Sequence, residues 1–484
     1  MNDEIKIGLD FGTHQTKICI RRTPDEGRGE PNYEFFKFTD LQGNEQYFLP
    51  SVVQINEDDT LSYGYVNEQR RKHNVEHPTE EHIDLEEEFD VADEAERLYD
   101  KYANASNSPE DMHILGEALT IHLSKIKDRN KIKKSEADNR YQKKLQEYKE
   151  TRNIFRYFKQ ATFSSGGWHR TSPISNRILC VWYLAYIIFL LEEKFGSDFS
   201  INMGIPADEA SYKSKKRLAV EILASAYYLV EDVYQNDIDK FLNEKVDTLL
   251  ANTVQRSYSD ELKEEYWINV FPEAYAGLIA LTSRGKLPTG MSITADIGGG
   301  TTDISFFTIE DGMPMIYKYW SLPHGLNYVA EESGFDYADG SFAKRVNPTV
   351  VADFNKEKQK LVSNLATDLA RKIQTETSIP VQNLRDALKD RILVYSGGGS
   401  TYHFLTKPID TFTDVRIVDS KIWNEENVKD KSDVSQLSVL LTTAYGLSVS
   451  DDDSEVKLKS YSTLFSHLPK KIDEDIKKIS KDVC

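Results

Sequence analysis

The chain has 484 residues, 39% of them hydrophobic and 29% charged, with 79 acidic against 60 basic side chains and a formal net charge of −19. That length exceeds what one compact domain needs and the apolar share supports a real core, while the acidic balance argues against nucleic-acid binding as the main task. Three cysteines, Cys19, Cys180 and Cys484, are too few for a disulfide framework or a zinc cluster. Cys19 and Cys180 lie in apolar runs and read as core packing in a reducing, cytoplasmic compartment.

In chain order, Met1-Asn2-Asp3-Glu4 lacks the basic opening of a secretory signal. Ile5 to Leu9 reads as a strand, Asp10-Phe11-Gly12-Thr13-His14-Gln15-Thr16 as a turn, and Lys17 to Ile20 as the returning strand. One Asp-x-Gly-Thr turn is ordinary hairpin chemistry. Thr79 to Tyr148 is acidic in its first half and basic in its second, with no proline after Pro109, which predicts long surface helices. Such charge marks either a solvated face or a partner-docking insertion. Val181 to Leu191 is very apolar but too short to span a bilayer, and it ends in Glu192-Glu193-Lys194, so it predicts a buried helix and no membrane attachment. Glu231 to Tyr266 predicts a further helical stretch.

The most informative stretch is Asp296-Ile297-Gly298-Gly299-Gly300-Thr301-Thr302-Asp303. It sits between the apolar run Met291 to Ala295 and Ile304-Ser305-Phe306-Phe307, and reads as strand, tight glycine turn, strand. Glycines let the backbone approach a ligand closely, and successive N–H groups in such a turn make an anion-binding concavity. The aspartates suit a hydrated Mg²⁺, which takes few protein oxygens. A strand–turn–strand device repeated far apart in one chain fits a duplicated fold with a ligand clamped between its halves. A third glycine cluster, Ser396-Gly397-Gly398-Gly399-Ser400-Thr401-Tyr402, follows the apolar strand Ile392 to Tyr395 and leads to a helix start. It suits a flat ligand, or is a βα turn capped by serine. Asp451-Asp452-Asp453 opens a charged tail in which Ile472, Ile476 and Ile479 would share one helix face.

These pieces resemble the actin-like ATPase superfamily, and most closely the nucleotide-binding domain of the 70-kDa heat-shock chaperones. Asp10 to Thr13 looks like the first phosphate motif, Asp296 to Asp303 the second, and Gly397 to Thr401 the adenosine motif. Pro50-Ser51-Val52-Val53 resembles the strand after the first hairpin, Ile201 to Ala207 and Thr442 to Leu447 the two connecting segments, and Phe271 to Leu278 a Glu-Pro helix start. The resemblance runs from about Ile5 to Val449 and leaves no room for a β-rich peptide-binding domain. It implies a two-lobed α/β fold of duplicated RNase H-like lobes around a nucleotide cleft. The first lobe would be residues 1–290, with 40–165 an elaborated upper subdomain. The second would be 291–440, and 441–484 a return segment and charged tail.

The resemblance also implies a site for ATP or ADP with Mg²⁺. Asp10 and Asp296 would orient the metal through water. Gly12, Thr13 and His14 from one side, and Gly298, Gly299, Gly300, Thr301 and Thr302 from the other, would hold phosphates. Gly398, Gly399 and Tyr402 would border the base and Gly325 the ribose. Asp303, with Asp10 and Thr301, would serve the chemistry, and Glu273 would position the attacking water. Here proline precedes Glu273, the reverse of the family order, so a first-turn carboxylate favoured by the helix dipole is the competing reading. The lysine that the chaperones keep shortly after the Pro-Ser-Val-Val strand is not found in Gly64 to Arg71, and Arg70 or Lys72 read as surface charges. Hydrolysis is therefore expected to be slow. The functional expectations are a slow ATPase switching a protein partner's state, a filament-forming relative, or a nucleotide-binding scaffold, with a small-molecule kinase the weaker case.

Overall fold

The computed structural model describes residues 3–24, 29–70, 153–156, 158–163, 174–207, 209–282, 287, 290–322, 324–335, 342–376, 391–410, 412–418, 427–456 and 458–459. The charged segment 79–148 and the tail positions Ile472, Ile476 and Ile479 lie outside them.

Apolar strands broken by glycine and aspartate turns begin the chain with β1 (Glu4–Phe11), β2 (Gln15–Thr23) and β3 (Asn32–Phe35). The short β4 (Phe38–Thr39), β5 (Glu45–Gln46), β6 (Leu49–Pro50), β7 (Val53–Ile55), β8 (Leu61–Tyr63) and β9 (Ile154–Phe155) follow. Then come α1 (Phe158–Phe163), α2 (Asn176–Phe195), β10 (Ser200–Ile205) and α3 (Glu209–Tyr228). A π turn at Leu229–Val233 leads to α4 (Ile238–Leu242), α5 (Val246–Asn252) and α6 (Asp260–Glu265), the helical stretch expected there. β11 (Ile268–Pro272) runs straight into α7 (Glu273–Thr282). The remainder is β12 (Ser292–Ile297), β13 (Thr302–Glu310), β14 (Met313–Leu322), α8 (Leu326–Glu332), α9 (Phe342–Arg345) and α10 (Pro348–Glu376). β15 (Ile392–Ser396), β16 (Asp414–Ile417), α11 (Lys431–Ser435) and α12 (Ser438–Val449) complete it.

The architecture is mixed α/β, and its two large sheets share one plan. In the first, the order is β11-β10-β1-β2-β3, and in the second β14-β13-β12-β15-β16. Reading outward from β1 or β12, two antiparallel neighbours lie on one side. Two parallel neighbours lie on the other. The parallel partners are reached by long crossovers, as parallel pairing requires, helical except between β15 and β16, where the described element is a 3₁₀ turn at Gly398–Thr401.

The Val181 to Leu191 run is the centre of α2, buried nearly all round as its uniform hydrophobicity predicts. Ser175 caps it by accepting from Ile178 N–H, and Gly196 ends it at φ 73°. Cys19 and Cys180 are buried and free, as their apolar settings predict. Among the described residues no helix is long and apolar enough to cross a membrane.

Between the sheets lie α7 and α12, and the core there draws on both sheets: Cys19 and Phe35 from the first, Ile392 and Val394 from the second, with Leu441, Ala444 and Tyr445 of α12. The contact is backbone on backbone. A Cβ on Gly446 would overlap the carbonyl oxygen of Ala276, and one on Gly8 would meet α12 at Ala444 and Ser448. Gly277, by contrast, has nothing nearer than Thr443 Oγ1 at 3.9 Å. Gly446→Ala should therefore destabilise by about 1–3 kcal/mol or more. Gly277→Ala should stabilise by about 0.5–1 kcal/mol through helix propensity. Urea denaturation of both variants reads the two signs.

Candidate functional site

The turns that stood out in the sequence meet at the seam between the sheets. Asp10 ends β1 directly opposite Lys17 on β2, and Asp296 ends β12 directly opposite Asp303 on β13. Gly12, Thr13 and His14 form the first turn, where Ser51 Oγ donates to the Gly12 carbonyl at 2.7 Å and Ser51 N–H to that of His14 at 2.9 Å. Gly298 to Thr301 form the second turn, closed by Gly298 N–H to the Thr301 carbonyl at 2.9 Å. The His14 ring packs on this second turn, so closely that a Cβ on Gly299 or Gly300 would lie 2.7 or 2.6 Å from it. Burial and the positive charges of Arg156 and Lys17 push His14 down to about 4, so the imidazole is neutral.

Gly325 sits against the same turn. A Cβ there would fall 2.5 Å from the Gly298 carbonyl oxygen, and the following N–H groups of Leu326 and Asn327 bond the Gly298 and Gly299 carbonyls at 2.9 Å each. Thr302 Oγ1 donates to the His324 carbonyl at 2.8 Å, tying the turn to that loop.

The carboxylates differ in how they are balanced. Lys17 Nζ bonds Asp10 Oδ2 at 3.0 Å; burial alone would lower this lysine, but Asp10 holds it above its ordinary value. Asp303 accepts from hydroxyls, Tyr319 OH at 2.8 Å and Thr301 Oγ1 at 3.2 Å, and burial pushes it up against these, the Ser321 hydroxyl and the charge of Lys159. Asp296 receives Ser396 Oγ at 3.0 Å, and burial together with the charge of Asp303 pushes it up to about 7.

Glu273 is the first residue of α7, as a dipole-favoured carboxylate would be, and it also reaches the cleft. Its partner is Lys159 of α1, whose Nζ bonds Glu273 Oε1 and lies 5.5 Å over the Phe11 ring. Burial raises the Glu273 carboxyl against the opposing pull of Lys159. Lys159 is only 3% exposed. It follows β9, which pairs with β7 at Val53, so a buried lysine reaches the seam from beyond residues 71–152, while Gly64 to Arg71 holds none. Arg70 is a surface side chain, paired with Asp58 at 3.5 Å, and Lys72 lies outside the described residues. The signal for Lys159 was Ile154-Phe155 ahead of Phe158-Lys159, an apolar strand opening a helix.

The third glycine cluster follows β15 as expected, but it enters a 3₁₀ turn at Gly398–Thr401 instead of a serine-capped α-helix; Ser400 Oγ bonds back to Gly397. Gly397, at φ 80°, is held against Asp296 and Ile297, where no side chain would fit. Gly399 is buried against Ile297, while Gly398 is more open. The Tyr402 ring packs edge-on against Phe342 at 5.1 Å and beside Phe404 at 5.5 Å, so it is part of an aromatic cluster of the second sheet.

Beneath this turn lies Lys358 of α10, 1% exposed, bonded to the Leu405 carbonyl and to Tyr395 OH at 3.2 Å. Among the described residues no carboxylate answers it, and burial pushes it down to about 7. Nothing in the sequence singled it out, because one lysine in a charged helix looks like any other.

For a divalent cation the donor set is suitable in kind: Asp10 and Asp296 end strands of the two sheets, near enough for the charge of Asp10 to act on Asp296. Among the described residues no three His, Cys, Asp or Glu side chains converge as direct ligands, which fits an ion that keeps most of its waters. No protein-family model matches the chain, and no curated protein matches it.

Lys358 yields a pH prediction. The unfolded chain holds this proton up to about 10.5, the folded chain only to about 7. The unfolded state thus binds more protons in that window, so Lys358 makes stability climb as pH rises from 7 to 10.5, with its full penalty present below 7. Lys358→Met should flatten that slope and raise stability at neutral pH, as read by denaturant melts across the window.

Proposed function

We propose that this chain is a Mg²⁺-ATP-binding protein of two-lobed, actin-like architecture, a slow ATPase whose lobe closure switches its interaction with a protein partner. The observation that carries this reading is the meeting of two Asp-Gly hairpin turns, one from each sheet, with His14 seated on Gly299 and Gly300. The shared plan of the two sheets supports duplicated lobes.

In this reading the N–H groups of Thr13, Gly299, Gly300, Thr301 and Thr302 take phosphate oxygens, the Gly12 N–H being turned to the Asp10 carbonyl at 3.0 Å, and Gly325, Gly398, Gly399 and Tyr402 border the nucleoside. Asp10 and Asp296 orient hydrated Mg²⁺, which when bound neutralises phosphate charge. Glu273, its carboxylate fixed by Lys159, orients the attacking water and accepts its proton. Lys159 donates to the transferring phosphoryl group, as the corresponding lysine does in the resembled chaperones. With Lys159 in that role, the reading favours hydrolysis over a scaffold. A cytoplasmic setting fits the free thiols of Cys19 and Cys180, and the acidic balance fits a protein partner better than a nucleic acid.

Two substitutions test the assignment by titration calorimetry and phosphate release. Asp296→Ala should remove Mg²⁺-ATP binding or turnover while the thermal melt is retained; unchanged binding and turnover in the folded variant would sink the reading. Glu273→Gln should leave binding within a few-fold and slow phosphate release by about 10²–10⁴.

A further inference from the structure

The two hairpin turns match residue for residue, since Phe11 pairs with Thr16 across the first and Ile297 with Thr302 across the second. In that alignment Thr13 stands where the second turn has Gly299, and His14 where it has Gly300. One turn is bare and the other carries an imidazole, and the imidazole lies across the bare turn. A Cβ on Gly300 would stand 2.6 Å from His14 Nε2, and one on Gly299 2.7 Å from Cδ2, so the ring touches the backbone of both glycines. Nε2 is shielded from water there. A phosphate gripped by Thr13 N–H on one side and by Gly299 and Gly300 N–H on the other needs the space between the turns. The ring spans that space, from its own turn to the opposite one.

The backbone beneath the ring is fixed. Ser51 N–H bonds the His14 carbonyl at 2.9 Å, Ser51 Oγ bonds the Gly12 carbonyl at 2.7 Å, and β6 pairs with Gln15 and Thr16. What is free to change is the side chain, by rotation about χ1 between staggered wells. His14 is half-buried, so the ring has a way out toward solvent. Two cations bear on it, Arg156 and then Lys17. Lys17 is paired with Asp10. Arg156 is exposed and directly follows β9, one residue past the Val53–Phe155 pair. Among the described residues no carboxylate pairs with Arg156, and a guanidinium fork matches phosphate oxygens well.

We propose that the His14 side chain is a gate on the phosphate seat of this cleft, an inference that rests on the nucleotide reading. With the ring down, it bridges the two turns and the seat is shut. With the ring out, the amides of Gly299 and Gly300 are free for the phosphates of a nucleoside di- or triphosphate, beside Arg156. The ligand favours the open state because only there does it gain those amides and that charge. A gate shut about nine-tenths of the time weakens the apparent affinity about tenfold.

Stopped-flow binding and titration calorimetry of the full chain with Mg²⁺-ADP and Mg²⁺-ATP test this. His14→Ala should tighten both nucleotides about tenfold and speed their association. His14→Phe, a ring of similar reach without the nitrogens, should bind no better than the parent. His14→Asn, too short to span the turns, replaces His14→Ala if that variant does not fold. In the parent chain, the histidine Cε1–H resonance that His14→Ala removes should shift on saturation with Mg²⁺-ADP. Parent binding with no gain in the small variants, an equal gain in His14→Phe, or an unmoved resonance overturns the gate and leaves the nucleotide reading standing. Absence of nucleotide binding in the parent and in His14→Ala alike removes both.

Discussion

Asp296 and Asp303 face one another as direct cross-strand partners, and like charges in that position repel. The surrounding structure is organised around tolerating this pair. Ser396, Tyr319 and Thr301 turn hydroxyls onto the two carboxylates, and the glycines beside them leave room for nothing bulkier. Both lysines of the seam are committed elsewhere, Lys17 to Asp10 and Lys159 to Glu273. The seam is thus left with four carboxylates and two ammonium groups, with the charge of Arg156 acting on His14 beside them. Burial, and then the charge of Asp303, push Asp296 up to about 7.

Holding such a pair in place needs rigid support on both sides, and the packing supplies it. Phe11 stacks on Tyr183 at 5.5 Å, and the Tyr183 hydroxyl bonds Thr16 Oγ1 at 3.0 Å beside the first turn. The same aromatic group seats α1 and hence Lys159. Across the seam, α7 and α12 cross at Gly446 and Ala276 with no side chain between them, which sets how near the two sheets stand. Beyond α12 the chain spans both sheets: Asp451 pairs with Lys6 and Arg21, Asp453 accepts from Val270 N–H, and Lys459 bonds Glu310 at 2.9 Å.

What could be read from the sequence was whatever depends on neighbours in the chain. The two hairpin turns declared themselves because the glycines, aspartates and threonines that build them are consecutive. The burial of α2 was legible from its uniform hydrophobicity. Contacts made across the fold were not legible. The Lys159–Glu273 pair spans 114 positions. Pro272 ends β11 and Glu273 opens α7, so the two residues make a strand-to-helix junction. The third glycine cluster was placed correctly but given the wrong helix type, since local capping chemistry cannot see that Gly397 is pinned against Asp296.

The two hairpins are built to one plan, with Asp10 matching Asp296 and Thr16 matching Thr302 in register. They part company one rung on, where the first carries Lys17 and the second Asp303. A fully symmetric cradle would accept an elongated anion equally well in either direction. One lysine exchanged for one aspartate removes that degeneracy: the first hairpin closes on a neutral ion pair, Asp10 with Lys17, and the second on two carboxylates, Asp296 with Asp303. One unmatched rung thus makes two otherwise matching hairpins electrically unlike, and swapping those two residues would move the acidic rung from one sheet to the other.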